Sequence, residues 1–223
     1  MVAGAVTQPF EPEFRGARRR LVEELQDGGI RDLAVLHAIE QTPRHVFVPG
    51  AVRHRAYEDS ALPLGNGQTI SQPSTHARYL ELLRLQGTER VLEIGTGTGY
   101  QTVLLSHLAS QVFSIERVQS LHDRARELMQ QLEVRNVSLL LGDGTLGWRE
   151  FAPFDAILVS AASPEIPTAY IEQLSDGGRL LSPLGDRGEQ TLHLITKRGS
   201  ELEDQPVGAV RFVPLVGKHG WEG

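Results

Sequence analysis

The chain has 223 residues, with 22 Lys and Arg against 28 Asp and Glu and a formal net charge of −6. That length allows one sizeable α/β domain with a small accessory segment, and 40% hydrophobic with 22% charged residues matches an ordinary soluble protein. The acidic balance argues against a general binder of nucleic acid or anionic membranes, and the lack of cysteine excludes disulfides, thiolate catalysis and Cys-ligated metals. The opening stretch "MVAGAVTQPFEPEF" is too polar and acidic for a secretory signal. No apolar run approaches the ~20 residues of a membrane span. A cytoplasmic monomer is the expectation.

In chain order, helical spacing of Leu21, Val22 and Leu25, then of Leu33, Leu36 and Ile39, predicts helices over 13–27 and 31–41, separated by Gly28-Gly29. Arg15, Arg18, Arg19 and Arg20 are expected on a solvated helix face. "TPRHVFVP" and "ALPLGNGQTISQPS" are rich in Pro and Gly, so 42–73 reads as largely loop. A helix is expected from about Ser74 to Leu85. Apolar runs then predict strands at 90–94, 111–115, 137–141, 155–160, 179–182, 191–196 and 209–216. Helical stretches at 99–109, 118–132, a short piece near 145–150, and 166–174 separate the first five. Alternating strand and helix implies a mostly parallel sheet with helices on both faces. Only "KRGSELEDQPVG" separates the last two strands, which should form an antiparallel edge pair. The division expected is an N-terminal part, 1–75, and a core, 76–223.

The first of those strands runs into "VLEIGTGTGY", residues 91–100. A dinucleotide fingerprint would place its third glycine at position 100, which is Tyr100; Gly95, Gly97 and Gly99 are one residue too short. A phosphate loop ending in Gly-Lys-Ser/Thr is absent as well. Glu93, two residues before the loop, would repel a diphosphate but suits a ligand with an ammonium group. S-adenosylmethionine has an amino-acid tail, a sulfonium and no phosphate. In open α/β sheets, ligands bind beyond the carboxyl ends of the strands. There Glu116, 19 residues after Gly97, can accept both ribose hydroxyls. Asp143, ending "VSLLLGD", can accept from an adenine amino group. Thr96, Thr98 and Gln101 either touch the cofactor or only start the helix. This pattern resembles the class I S-adenosylmethionine-dependent methyltransferases, whose sheet is Rossmann-like.

The Asn/Asp-Pro-Pro-aromatic motif of enzymes that methylate base amines is missing at "LVSAASPEIP". Instead "GDGTLGWREFAPFDAI" (142–157) resembles the signature of the protein-L-isoaspartate (D-aspartate) O-methyltransferases, as do "AYEDSALPLGNGQTISQP" (56–73) and "RFVPL" (211–215). The resemblance covers roughly 41–217. It departs after "QTISQP", where Ser74-Thr75-His76 stand in place of an aromatic and aliphatic residues. It implies methylation of the stray carboxyl group of L-isoaspartyl and D-aspartyl residues in damaged proteins and peptides. S-adenosylmethionine would be the donor and S-adenosylhomocysteine the product, with no metal, nucleic acid or membrane. It implies a catalytic role for Ser71, whose position before Pro73 and a helix also fits a plain N-cap. Cofactor contacts are expected from Glu93, Gly95, Thr96, Gly97, Thr98, Gly99, Glu116, Asp143 and Gly144, and substrate contacts from Gln68, Thr69, Ile70, Val213 and Pro214. "VRFVPL" reads as an edge strand for a substrate backbone. A small-molecule O-methyltransferase and a non-catalytic cofactor-binding protein stand as alternatives. His45, His54 and His76 lack ligand spacing and are expected at the surface or in loops.

Overall fold

The computed structural model describes residues 12–65 and 68–222, and the chain divides into two units after Arg78. In the first unit, helices α1 (Pro12–Asp27) and α2 (Leu33–Gln41) bury Leu21 and Leu25 and, on α2, Val35, Leu36 and Ile39. Of the apolar positions of the predicted repeat, Leu33 is exposed and Val22 half-buried, and Val35 takes a core place instead. Asp32 starts α2 by accepting from the N–H groups of Ala34 and Val35, which satisfies two of the orphan donors of a helix end. Arg15, Arg19 and Arg20 are exposed as expected, but Arg18 is buried.

The stretch expected to be loop holds more structure. Short 3-10 turns occupy Arg44–Phe47 and Gly50–Arg55, and an antiparallel hairpin pairs β1 (Leu62–Gly65) with β2 (Gln68–Ile70). Its sequence signal is the Asn66-Gly67 dipeptide between the two strands, a typical hairpin pair. Helix α3 (Pro73–Leu83) follows after two residues, with Pro73 at the first helical position, where its missing N–H costs nothing.

The second unit is a seven-stranded sheet: β3 (Arg90–Ile94), β4 (Gln111–Glu116), β5 (Val137–Leu141), β6 (Phe154–Val159), β7 (Leu174–Gly185), β8 (Gln190–Arg198) and β9 (Glu201–Val210). The order is β5-β4-β3-β6-β7-β8-β9. β5 through β7 are parallel, and β8 runs antiparallel to both β7 and β9. Helices α4 (Tyr100–Leu108), α5 (Gln119–Gln131) and α6 (Thr168–Gln173) connect the parallel strands. Short 3-10 turns at Gly144–Leu146 and Arg149–Phe151 take the place of a helix between β5 and β6. One buried cluster gathers Leu92, Ile94, Phe113, Ile115, Ile157, Val159 and Tyr170. Because side chains alternate along a strand, Glu93 and Ser114 point to the other face, where Thr102 of α4 meets Glu93. No helix among the described residues is long and apolar enough to cross a membrane.

The last strand differs from expectation. It spans 201–210 rather than 209–216, and "KRGSELEDQPVG" supplies a turn at Gly199 (φ +60°) followed by strand. β9 is an edge strand exposed along most of its length and carries Glu201, Glu203 and Asp204, so no apolar alternation marks it. The apolar residues beyond it leave the sheet: Ala162 N–H donates to Val213 O at 2.8 Å and Leu215 N–H to Ala162 O at 2.7 Å. After Val210, the last residue of β9, "RFVPL" is therefore a strap joined to Ala162, and within it Leu215 is buried.

Candidate active site

The glycine loop leaves β3 where the chain turns to β4 on one side of it and β6 on the other, the switch point at which open α/β sheets form a crevice. Gly95, Gly97 and Gly99 have φ of +95°, +57° and +85°, values at which only glycine is unstrained. A side chain on Gly99 would meet Met129 Cε at 2.7 Å, whereas one on Gly97 would meet nothing within 4 Å. Gly97 thus faces open space, and Gly99 lets α4 pack closely on α5. Gly95 N–H donates to Ile115 O at 2.9 Å.

Two carboxylates brace this loop. Glu116 accepts from Gly97 N–H at 2.8 Å and from Val118 N–H at 2.9 Å. Glu93 is fully buried; its Oε2 accepts from Thr102 Oγ1 at 2.5 Å and from Ser114 Oγ at 2.6 Å. Ser114 spends its proton on Glu93, so Thr96 Oγ1, 2.6 Å away, must donate to Ser114. Glu93 Oε1 is buried with no hydrogen-bond partner. Burial pushes the Glu93 carboxyl up to about 7 against hydrogen bonds from Ser114 and Thr102, and the Glu116 charge adds to the rise. Gln101 donates from Nε2 to Ser160 Oγ at 2.9 Å. Thr96 and Thr98 are buried. Ser114, Thr102 and Ser160 were missed in the sequence reading. Ser114, a polar residue inside the apolar run "QVFSIE", was the available signal.

Asp143 ends β5 and caps the following turn, accepting from Thr145 N–H at 2.9 Å and Thr145 Oγ1 at 2.7 Å. Its other oxygen takes Lys218 N–H at 2.8 Å. Partial burial pushes this carboxyl up, but the Lys218 and Thr145 hydrogen bonds and the His219 charge outweigh it and hold it below the usual range. Asp143 therefore anchors the strap's continuation. Gly144 packs so tightly that a side chain would lie 2.6 Å from Ile94 Cγ2. In the strap itself Val213 is half-buried and Pro214 exposed.

Gln68, Thr69, Ile70 and Ser71 belong to the first unit, with Ile70 buried and Ser71 half-buried. Ser71 does not cap α3: Ser74 N–H donates to Asp59 Oδ1 at 2.8 Å instead, and among the described residues Ser71 Oγ makes no hydrogen bond. The Ser71 carbonyl accepts from Arg44 Nη2 at 2.7 Å. His54 is exposed, but His45 and His76 are buried; His45 stacks on Phe14 at 4.2 Å between ring centres and pairs with Tyr57 Oη at 2.8 Å. No group of three or more His, Cys, Asp or Glu among the described residues could hold a metal.

The family profile of protein-L-isoaspartate (D-aspartate) O-methyltransferase matches residues 16–220. A protein-L-isoaspartate O-methyltransferase of Dictyoglomus thermophilum is 51% identical over 211 residues, 95% of this chain and 96% of its own. One of Serratia proteamaculans is 54% identical over 196 residues, 88% and 94% of the two chains. A solved protein-L-isoaspartate O-methyltransferase superposes with a TM-score of 0.84 at 31% identity, covering 91% of this chain and 67% of that one. A putative one from Plasmodium falciparum, in complex with S-adenosyl-L-homocysteine, gives 0.77 at 26% identity, covering 89% and 98%. The chain belongs to the protein-L-isoaspartate (D-aspartate) O-methyltransferase family.

Proposed function

We propose that this protein transfers a methyl group from S-adenosylmethionine to the free carboxyl group of L-isoaspartyl and D-aspartyl residues in damaged proteins and peptides. The observation that carries it is the family match from residue 16 to 220. Features of the second unit support it: an open approach at Gly97, a buried oxygen on Glu93 without a hydrogen bond that suits an ammonium group, and the Glu93 and Glu116 carboxyls, which disfavour a diphosphate. We assign Glu93, Glu116, Asp143, Gly144 and the loop residues Gly95, Thr96, Gly97, Thr98 and Gly99 to cofactor binding. Glu116 and Asp143 keep acceptor capacity beyond the backbone bonds they make, since each carboxylate has about four lone-pair sites.

S-adenosylmethionine supplies an electrophilic sulfonium methyl. The acceptor carboxyl, with a reference pKa of about 4, is ionised at neutral pH and needs no general base. What remains for the protein is placement and exclusion of water. We assign Ser71 Oγ to orienting the acceptor carboxylate, supported by its freedom from a capping role, and Gln68, Thr69, Ile70, Val213 and Pro214 to contacts with the substrate peptide. The methyl ester loses methoxide more readily than the acid loses hydroxide, so the succinimide re-forms and partly reopens to normal aspartate. A cytoplasmic monomer acting without nucleic acid or membrane completes the reading; a net charge of −6 supports it. The test is repair itself: an isoaspartyl peptide incubated with enzyme and S-adenosylmethionine should yield the normal aspartyl peptide, seen by chromatography. Methyl turnover on free carboxylic acids with none on the peptide would favour a small-molecule enzyme.

A further inference from the structure

Ser71 and Gln72 are the only residues between β2 and α3. So short a link takes its conformation from whatever pins its ends and its carbonyls. Buried Ile70 holds the strand side, and the Asp59 carboxylate holds the helix side through Ser74 N–H at 2.8 Å. At the serine the hold is Arg44, whose Nη2 donates to the Ser71 carbonyl at 2.7 Å from 27 residues away in sequence.

Arg44 is completely buried. It stands in "TPRHVFVP", at the start of the 3-10 turn Arg44–Phe47, directly after Pro43. Burying a guanidinium is costly, and packing alone would be served by an uncharged side chain of similar volume. What the guanidinium adds is a rigid planar fork that stays charged at any working pH and donates along a fixed direction. The carbonyl it grips sits on the same residue as a hydroxyl with no hydrogen bond of its own among the described residues. Holding that carbonyl limits how far the Ser71 backbone, from which Cα–Cβ and Oγ project, can shift in a link of two residues.

We propose that Arg44 is a positioning residue for Ser71: its hydrogen bond to the Ser71 carbonyl sets the direction of Oγ. The proposal rests on the reading of Ser71 as the residue that orients the acceptor carboxylate. Arg44 reaches neither substrate nor cofactor in this role, so its loss should act on turnover and leave cofactor binding alone.

The experiment compares Arg44→Lys and Arg44→Met, each alone and combined with Ser71→Ala. The readouts are melting temperature, affinity for S-adenosylhomocysteine, and kcat and KM separately on an isoaspartyl peptide. Arg44→Lys keeps the charge and loses the fork, so it decides the matter if Arg44→Met fails to fold. Expected is a fall in kcat of ~10- to 100-fold, the scale of a misplacement of about 1 Å, with little change in KM or S-adenosylhomocysteine affinity. In the Ser71→Ala background the same substitutions should lower kcat no further, since there is no hydroxyl left to aim. Losses that multiply in the double variants would make Arg44 a purely structural residue and overturn the proposal. Parent turnover in both Arg44 variants beside a crippled Ser71→Ala would overturn the proposal alone. Parent turnover in Ser71→Ala would overturn the reading of Ser71 and the proposal with it.

Discussion

Gly97 donates its backbone N–H to the Glu116 carboxylate at 2.8 Å, tying the loop after β3 to the end of β4. Glu116 also holds Val118 N–H at 2.9 Å, so it braces the loop at both ends of the turn. Glu116→Ala leaves two backbone donors without their acceptor, at ~1–3 kcal/mol each where they stay buried. Melting temperature should fall, and the dissociation constant for S-adenosylhomocysteine should rise about tenfold or more. Glu116→Gln keeps one acceptor oxygen and should lose less of both. A lower melting temperature with unchanged affinity would leave Glu116 as a loop brace only.

Glu93 gives the protein a pH signature. Its carboxyl is raised from 4.5 to about 7, burial being the largest cause. The folded state therefore holds a proton that the unfolded state releases between those values. Stability from this group is fully present below pH ~4.5 and is lost as pH rises to about 7, by ~3 kcal/mol. Denaturant titrations of the parent and of Glu93→Gln across this window should differ in slope, with the variant flatter. Binding of an ammonium ligand has the opposite sense, since it needs the ionised carboxylate. Affinity for S-adenosylhomocysteine should rise through pH ~7 in the parent and not in Glu93→Gln. Equal pH dependence in the two proteins would remove Glu93 from both roles.

Asp143 and Gly217 test the strap. Asp143 accepts from Lys218 and Thr145, and a side chain on Gly217 would lie 2.1 Å from Asp143 Oδ1. Asp143→Ala and Gly217→Ala should therefore have the same local consequence, faster hydrogen exchange over residues 216–222, with the sheet strands unchanged. Protection equal to the parent's in both variants would contradict the anchoring role.

Asp59 and Ser71 should part company. Asp59→Ala removes the acceptor at Ser74 N–H and should lower the melting temperature by a few degrees, as loss of a helix cap does. Ser71→Ala should leave melting and S-adenosylhomocysteine binding near parental values while turnover drops ~10- to 100-fold. A destabilised Ser71→Ala with parental turnover would restore the capping reading.

Much of this was legible in the sequence because apolar periodicity reports burial. The central parallel strands β3, β4 and β6 are buried on both faces, so they showed as apolar runs, and the glycine spacing located the loop. Glu93 and Glu116 were visible as strand-end acids. What periodicity cannot see is an exposed edge: β9 escaped notice because solvent covers it, and "RFVPL" passed for a strand because its apolar residues partly turn inward where it joins Ala162. Partners distant in sequence were hidden as well. Nothing local ties Ser114 and Thr102 to Glu93, Arg44 to Ser71, or Lys218 to Asp143; each pairing exists only after folding. The N-cap reading of Ser71 failed for the same reason, since Asp59 reaches the helix end from 15 residues away.

The most direct measurement is transfer of tritiated methyl groups from S-adenosylmethionine to two synthetic peptides that differ only in one linkage, isoaspartyl in one and normal aspartyl in the other. The account predicts base-labile methyl ester on the isoaspartyl peptide, at rates that change only modestly when the flanking residues are varied, and background counts on its aspartyl twin. Equal labelling of both peptides, or none on either while S-adenosylhomocysteine still binds, would contradict it.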